Sequence, residues 1–219
     1  MGAPRAGGLG SGTAGSYNTG AMTAPDTNTP ARADAPAAET AGRPRATPED
    51  LFARLRSLGL AVSTHEHEAV FTVEESRHLR GLLPGWHSKN LFLRNKKGQE
   101  WLVVCEEQRR IDLKGLGDLL GAGRLSFGSP DRLMDSLGVT PGSVTPFAII
   151  NDADRRVTIV LDSGMMRHGT LHFHPLVNTM TTAIEPAGLL GFIASCGHEP
   201  HIVDLDPVTL PAEPDPAGS

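Results

Sequence analysis

The chain carries only two cysteines, one tyrosine and two tryptophans in 219 residues. Cys105 and Cys196 lie far apart in apolar surroundings (LVVCEE and FIASCG), which fits two buried thiols in a reducing compartment better than a disulfide framework. No apolar run approaches the roughly 20 residues of a membrane-spanning helix, so no membrane partner is expected. Residues 1–46 hold no apolar secretory core, and a cytoplasmic location is the expectation. Several chemical patterns are also missing. There is no G-x-S-x-G nucleophile turn, no phosphate-binding or dinucleotide glycine pattern, and no HExxH or H-x-E…C-x-x-C metal pattern. Neither cysteine has an obvious local base. These absences point away from covalent, nucleotide-dependent and metal-dependent mechanisms, so neither cofactor nor metal is expected. The net charge of −5 argues against indiscriminate coating of nucleic acid.

What is present divides the chain in three. Residues 1–46 are Gly, Ala, Pro, Thr and Ser with almost no large apolar side chains, and such a segment cannot offset its own ordering entropy. A disordered tail is expected there; Met22 is a second possible initiator. A domain is expected from 47 to 206, and a flexible Pro-rich tail over 207–219. Thr47-Pro48-Glu49-Asp50 predicts a capped helix start, with Leu51, Phe52, Leu55 and Leu58 as its apolar stripe and Gly59 as its stop. Leu60–Glu66 reads as a strand and Thr72 to Gly81 as a second helix. Asn90–Arg94, the turn Asn95-Lys96-Lys97-Gly98 and Glu100–Cys105 predict a β-hairpin. Helices follow from Asp112 to Leu120 and from Ser129 to Gly138. Strands are expected at Phe147–Ile150, Val157–Leu161, Leu171–His174, Thr179–Ile184 and His201–Leu205, with a short helical piece near Met165 and a helix from Pro186 to about Ser195. The fold class is therefore α+β, a single mixed-sheet domain flanked by short helices.

Charge is unevenly placed. Between Trp86 and Arg124, Lys89, Arg94, Lys96, Lys97, Arg109, Arg110, Lys114 and Arg124 outweigh five acids, while the chain from Asp131 onward is strongly acidic. A basic hairpin on an acidic body suits contact with one end of a nucleic acid, although a solvated face would look the same. Three constellations could carry chemistry. Ser88-Lys89-Asn90 places a point charge and an amide where an apolar strand begins. Gly142-Ser143-Val144-Thr145-Pro146 is a G-x-x-x-P loop whose backbone N–H groups can face a carbonyl oxygen gaining charge. His65/His67 and His172/His174 have the H-x-H spacing that shares one strand face, with a polar cleft residue favoured at His174 and a packed or partly exposed one at His172. His198 and His201 flank a glycine-terminated helix end, which suggests capping or surface roles.

Together these residues resemble a known family. Lys89–Arg94, Lys96-Lys97-Gly98 and Trp101–Val104 are similar to the hairpin of the free-standing ProXp-ala deacylases of the YbaK/ProX superfamily. Gly142–Pro146 is similar to that family's G-x-x-x-P loop, and Asp162-Ser163 with His172-Phe173-His174-Pro175 to its C-terminal strand and histidine. The N-terminal extension departs from the compact family pattern. The resemblance implies a trans-editing enzyme that hydrolyses Ala-tRNA(Pro) by direct attack of water. Its catalytic residues would be Lys89, Asn90, Gly142 and His174. Ser143, Val144, Thr145 and Pro146 would line the substrate, and Arg94, Lys96 and Lys97 would meet the acceptor stem. The implied partners are mischarged tRNA and prolyl-tRNA synthetase. Another mischarged tRNA (Cys, Ser or Thr) and a non-catalytic binding module on the same fold remain open alternatives.

Overall fold

A computed structural model of the chain describes residues 44–68 and 85–211. The helix expected between Thr72 and Gly81 lies outside the described residues, as does most of both expected tails. The first helix, α1 (Pro48–Ser57), begins as its sequence predicts. Thr47 Oγ1 accepts from the Asp50 amide, and the Asp50 carboxylate accepts from the Thr47 amide at 2.9 Å, a reciprocal cap that satisfies two otherwise orphaned donors. Leu51 and Leu55, one turn apart, are fully buried.

The strands are β1 (Val62–Glu66), β2 (Trp86–Arg94), β3 (Glu100–Glu106), β4 (Arg110–Ile111), β5 (Ser126–Phe127), β6 (Val157–Asp162), β7 (Leu171–Phe173), β8 (Met180–Ile184), β9 (His201–Val203) and β10 (Thr209–Leu210). The main sheet runs β1-β8-β7-β2-β3-β6-β9, with β5 added on β2; β10 and β4 form a separate pair. The pairs β2/β7, β3/β6 and β6/β9 are parallel and the others antiparallel. Further helices are α2 (Leu113–Leu119), α3 (Pro130–Leu137) and α4 (Pro186–Ser195).

Strand β3 is the axis of the packing. Trp101 to Cys105 are all buried, and successive residues leave on opposite faces. Leu102 and Val104 join Phe147, Ile159, Leu161 and Phe192 in a large core beneath α1, α3 and α4. Trp101, Val103 and Cys105 join Leu93, Leu116, Val160 and Leu205 in a smaller core beneath α2. A strand covered on both faces reads as an unbroken apolar run, which is why Trp101–Cys105 lacks alternation in the sequence.

The α+β class and the mixed sheet stand as expected, with three revisions. Phe147–Ile150 is not a strand: Pro146–Asn151 forms a 3-10 helix, started by the fixed φ of Pro146 and by Thr145 Oγ1, which accepts from the Phe147 amide at 3.3 Å. A short apolar run carries no period that separates the two conformations. Strand β2 begins at Trp86, four residues before the expected start, because polar residues occupy its open end. The chain also stays paired past Asp206: Thr209 and Leu210 lie against Ile111 and Arg110.

Gly117 explains why α2 tolerates a poor helix former. An added Cβ there would overlap the Gly123 carbonyl, a backbone atom with no room to retreat. Gly117→Ala should therefore destabilise the fold by about 1–3 kcal/mol in urea unfolding, despite the roughly 0.8–1 kcal/mol that alanine gains from helix propensity. A stabilised variant would mean that α2 does not pack this closely.

Candidate active site

Period-two geometry separates the two residues that the sequence places side by side. On β2, Trp86 and Phe92 face the large core and Leu91 and Leu93 the small one. Lys89 is opposite Cys105, a small-core residue, and Asn90 opposite Val104, a large-core residue. Lys89 and Asn90 thus project from opposite faces of one strand.

Both stand where the sheet forks. Strand β7 pairs with β2 only at Trp86↔Leu171 and His87↔His172, and β5 pairs with β2 only at Leu93↔Phe127 and Arg94↔Ser126. Between these contacts, Ser88 to Leu91 have no strand partner on that edge among the described residues. Side chains and a loop fill the opening. Ser88 Oγ donates to the His172 carbonyl at 3.2 Å, and Asn90 Nδ2 donates to the Val144 carbonyl at 2.9 Å. A carbonyl accepts only, so this bond fixes the orientation of the amide. Asn90 Oδ1 is then left as a buried acceptor with no partner among the described residues.

The G-x-x-x-P loop is built to hold that carbonyl still. Gly142 has φ +89°, a conformation that L side chains rarely adopt. The Ser143 amide donates to Thr140 O at 3.0 Å. Ser143, Thr145 and Pro146 are buried, and Thr145 and Pro146 serve the helical turn that follows. Gly142 is exposed and Val144 partly open, and Val144 meets Asn90 through its backbone. Asn178, in the turn between β7 and β8, lies beside Gly142; a Cβ placed there would sit 3.8 Å from its Nδ2.

His174 follows β7 directly. Its Nδ1 lies 2.8 Å from the Met180 carbonyl and must carry the proton, so in the neutral ring Nε2 is an acceptor. Burial holds its pKa below the ordinary histidine value; the bond to Met180 opposes this, and nearby His67 adds to it. His67 is itself held by Glu68 O at 2.7 Å and Thr181 Oγ1 at 2.9 Å. His172 is buried and stacks on His87, ring centres 4.9 Å apart. His198 is buried rather than on the surface, with Nε2 3.0 Å from the Asp152 carbonyl.

Lys89 is held on the other face, where its ammonium donates to the Arg109 carbonyl. The Arg109 guanidinium is anchored in turn. Nη1 donates to Asp206 at 2.8 Å and to Thr209 Oγ1 at 2.6 Å, and Nε lies 3.1 Å from Asp162, off the line of its N–H, as an ion pair rather than a hydrogen bond. Asp162 is only 1% exposed, and burial pushes its carboxyl pKa up while the Gly164 amide and Arg109 pull it down. Burial raises the Cys105 thiol to about 11, with Lys89 opposing, so this sulfur is no nucleophile at neutral pH. Arg94, Lys96 and Lys97 lie at the far end of the hairpin; Arg94 is five residues, roughly 17 Å at strand rise, from Lys89.

The structure thus joins Asn90 to the Gly142–Pro146 loop and keeps Lys89 and the basic turn apart from that contact. Sequence reasoning placed Ser88 in the Ser88-Lys89-Asn90 constellation without giving it a role, and it did not single out Arg109, Asn178 or Thr181 as site residues. Period-two alternation puts Ser88 on the face of Asn90; the other three enter through pairings and turns with no local signature. Among the described residues no three His, Cys, Asp or Glu side chains converge as a metal site would require, and no helix is long and apolar enough to cross a membrane.

The polar opening sits in a mixed-sheet fold that solved structures share. One protein described only as hypothetical aligns with a TM-score of 0.57 at 17% identity, covering 71% of this chain and 97% of its own. Another, described as a candidate trans-editing enzyme for prolyl-tRNA synthetase, aligns at 0.56 and 20% identity, covering 72% and 95%. The sequence matches the aminoacyl-tRNA editing domain over residues 67–192. It is 38% identical over 162 residues to the mouse (Mus musculus) prolyl-tRNA synthetase associated domain-containing protein 1, covering 72% of this chain and 95% of that one. It is 34% identical over 156 residues to the prolyl-tRNA editing protein ProX of Acetoanaerobium sticklandii, covering 71% and 95%. The chain belongs to the aminoacyl-tRNA editing domain family, the YbaK/ProX family. It is accordingly an aminoacyl-tRNA deacylase, a hydrolase of the ester in mischarged tRNA.

The lowered His174 pKa has a defined sign. The folded state takes up this proton at lower pH than the unfolded chain, whose histidines titrate near about 6.5. The stability it contributes is complete above that value and is lost as the pH falls below it. An NMR titration should place the His174 ring midpoint below that of a histidine peptide, and His174→Gln should flatten the loss of stability on acidification. A midpoint at or above the peptide value would contradict the buried, neutral ring.

Proposed function

We propose that this deacylase removes alanine from Ala-tRNA(Pro) in trans, as a separate chain that clears an error of prolyl-tRNA synthetase. The observation that carries the reading is the buried Asn90 Oδ1 at the fork, which has no partner among the described residues, on an amide whose Nδ2 is pinned by the Val144 carbonyl. A buried acceptor without a donor is costly, by about 1–3 kcal/mol, and a substrate that supplies the donor regains that energy. The α-ammonium of an aminoacyl ester is such a donor. Similarity to the ProX editing protein supports proline tRNA as the carrier. A synthetase site built for proline rejects a smaller side chain by only about 1–3 kcal/mol, which is why a second hydrolytic sieve is needed.

In this reading, water attacks the ester carbonyl carbon while Asn90 holds the amino group. The carbonyl oxygen becomes an oxyanion, which backbone N–H groups near Gly142 stabilise. Collapse of the tetrahedral intermediate breaks the bond to the ribose oxygen, which takes up the proton that the attacking water gives up. Free alanine and uncharged tRNA leave. Lys89, reached from the opposite face of β2, holds a phosphate of the terminal adenosine as a point charge. His174 shapes the amino-acid pocket, with Nε2 as an acceptor. Ser143, Val144, Thr145 and Pro146 act mainly by fixing the loop, and Arg94, Lys96 and Lys97 meet acceptor-stem phosphates.

The decisive assay compares hydrolysis of Ala-tRNA(Pro) with that of Pro-tRNA(Pro). Wild type should clear alanine and spare proline. Lys89→Ala and Asn90→Ala should each lower kcat/KM by 10²-fold or more with an unchanged melting temperature. Neutralising Lys96 and Lys97 together should flatten the salt dependence of tRNA binding by about two counterions. Rapid hydrolysis of Cys-, Ser- or Thr-charged tRNA, with alanine spared, would move the specificity elsewhere.

A further inference from the structure

Resting on the reading of a tRNA substrate, we infer that Phe127 is a stacking platform for an unpaired nucleobase of the RNA 3′ end, upstream of the terminal adenosine. Phe127 is 62% exposed, the most open of the exposed large apolar side chains among the described residues. It is nevertheless held in place. Its strand β5 pairs with β2 at Leu93 and Arg94, and the next amide, of Gly128, donates to the Phe92 carbonyl at 2.9 Å. Gly128 lies so close to the Phe92 ring that a Cβ there would overlap it. An aromatic ring fixed by its backbone and left open to solvent can bind a flat partner at little entropic cost.

Its surroundings decide what that partner is. Arg124 lies three residues before Phe127, and Lys96 and Lys97 occupy the turn adjoining β2, while Arg94, paired with Ser126, projects from the other face of the sheet. Asn95 Nδ2 donates to the Ala122 carbonyl at 3.0 Å and ties that turn to the segment leading into β5. The nearest carboxylate in register, Glu100, is engaged by Ser136 at 2.6 Å and Arg132 at 3.5 Å. Among the described residues, none of Arg124, Lys96 and Lys97 has a carboxylate within ion-pair distance. An exposed ring among cations that lack counter-charges suits a polyanion that also carries flat bases. An apolar protein surface would leave those charges desolvated without partners.

The ring also points the right way. Antiparallel partners share a face, so Phe127 projects with Leu93, and Leu93 projects with Lys89. Four residues of strand, roughly 13 Å, separate Lys89 from Leu93. A single-stranded end with its terminal phosphate at Lys89 can run along the open edge of β2 and set an upstream base on Phe127.

The test uses the full chain and three substrates: alanine-charged tRNA, a charged acceptor-stem hairpin, and 3′-alanyl-adenosine. Phe127→Ala should raise KM about tenfold for the first two and Phe127→Trp should restore it. The ratio of variant to wild type should fall toward one for alanyl-adenosine, which has no upstream base. An unchanged KM of Phe127→Ala on charged tRNA would overturn the inference while leaving the deacylase reading in place. An equal loss on all three substrates would also overturn it, because the ring would then act through the fold. Concentration-dependent sedimentation of wild type that Phe127→Ala abolishes would assign the surface to a second copy instead. Failure of wild type to hydrolyse any charged tRNA is a separate result, since it removes the substrate reading itself.

Discussion

The register of β2 against β3 governs the rest of the molecule. Seven consecutive pairs, from Ser88↔Glu106 to Arg94↔Glu100, hold these strands without a bulge. That register sends Phe92 into the large core and Leu93 into the small one, so both hydrophobic clusters depend on it. The same alternation sends Asn90 toward the Gly142 loop and Lys89 toward the Arg109 strap. A slip of one residue would bury the lysine where the amide now sits and strand two large apolar side chains on the wrong faces. Folding energy and site geometry therefore share one determinant.

From that register follows a division of labour across the strand. On the large-core side the amide, the loop carbonyl and the turn holding Asn178 make a small, buried, oriented polar site suited to an amino-acid head group. On the other side Lys89 is anchored through Arg109 to Asp162, Asp206 and Thr209, and farther along the same face of β2 Leu91 and Leu93 belong to the small core. An aminoacylated RNA end has the same two-part character, a small ester attached to a long polyanion.

The buried charges on the second face also account for the chain beyond the expected domain boundary. Asp162 is enclosed, and its partner Arg109 is held from the far side by Asp206 and Thr209. Removing one member of such a group leaves a buried charge uncompensated, a cost of several kcal/mol. The pairing of β10 with β4 brings those two residues into place, so the C-terminal residues through Leu210 complete the support of Lys89 rather than trail from the domain.

Much of this was legible in the sequence because the signals are local. The Thr47 cap, the Gly98 turn, the β2–β3 hairpin and the Gly142 loop each follow from side chains within a few residues of one another. The family resemblance rested on the hairpin, the Gly142 loop, Asp162-Ser163 and His172–Pro175, and the class of chemistry came with it. The segment Phe147–Ile150 misled because four apolar residues carry no period, and the cap from Thr145 and Pro146 outweighed their β propensity. Only the tertiary structure decided where the sheet forks, that Asn90 meets the Val144 carbonyl, that Arg109 fastens Lys89, and that Phe127 stands open to solvent next to the basic turn. These depend on contacts between residues tens of positions apart, 54 for Asn90 with Val144 and 97 for Arg109 with Asp206. A linear sequence names the groups that can bond; chain topology selects which of them come within reach.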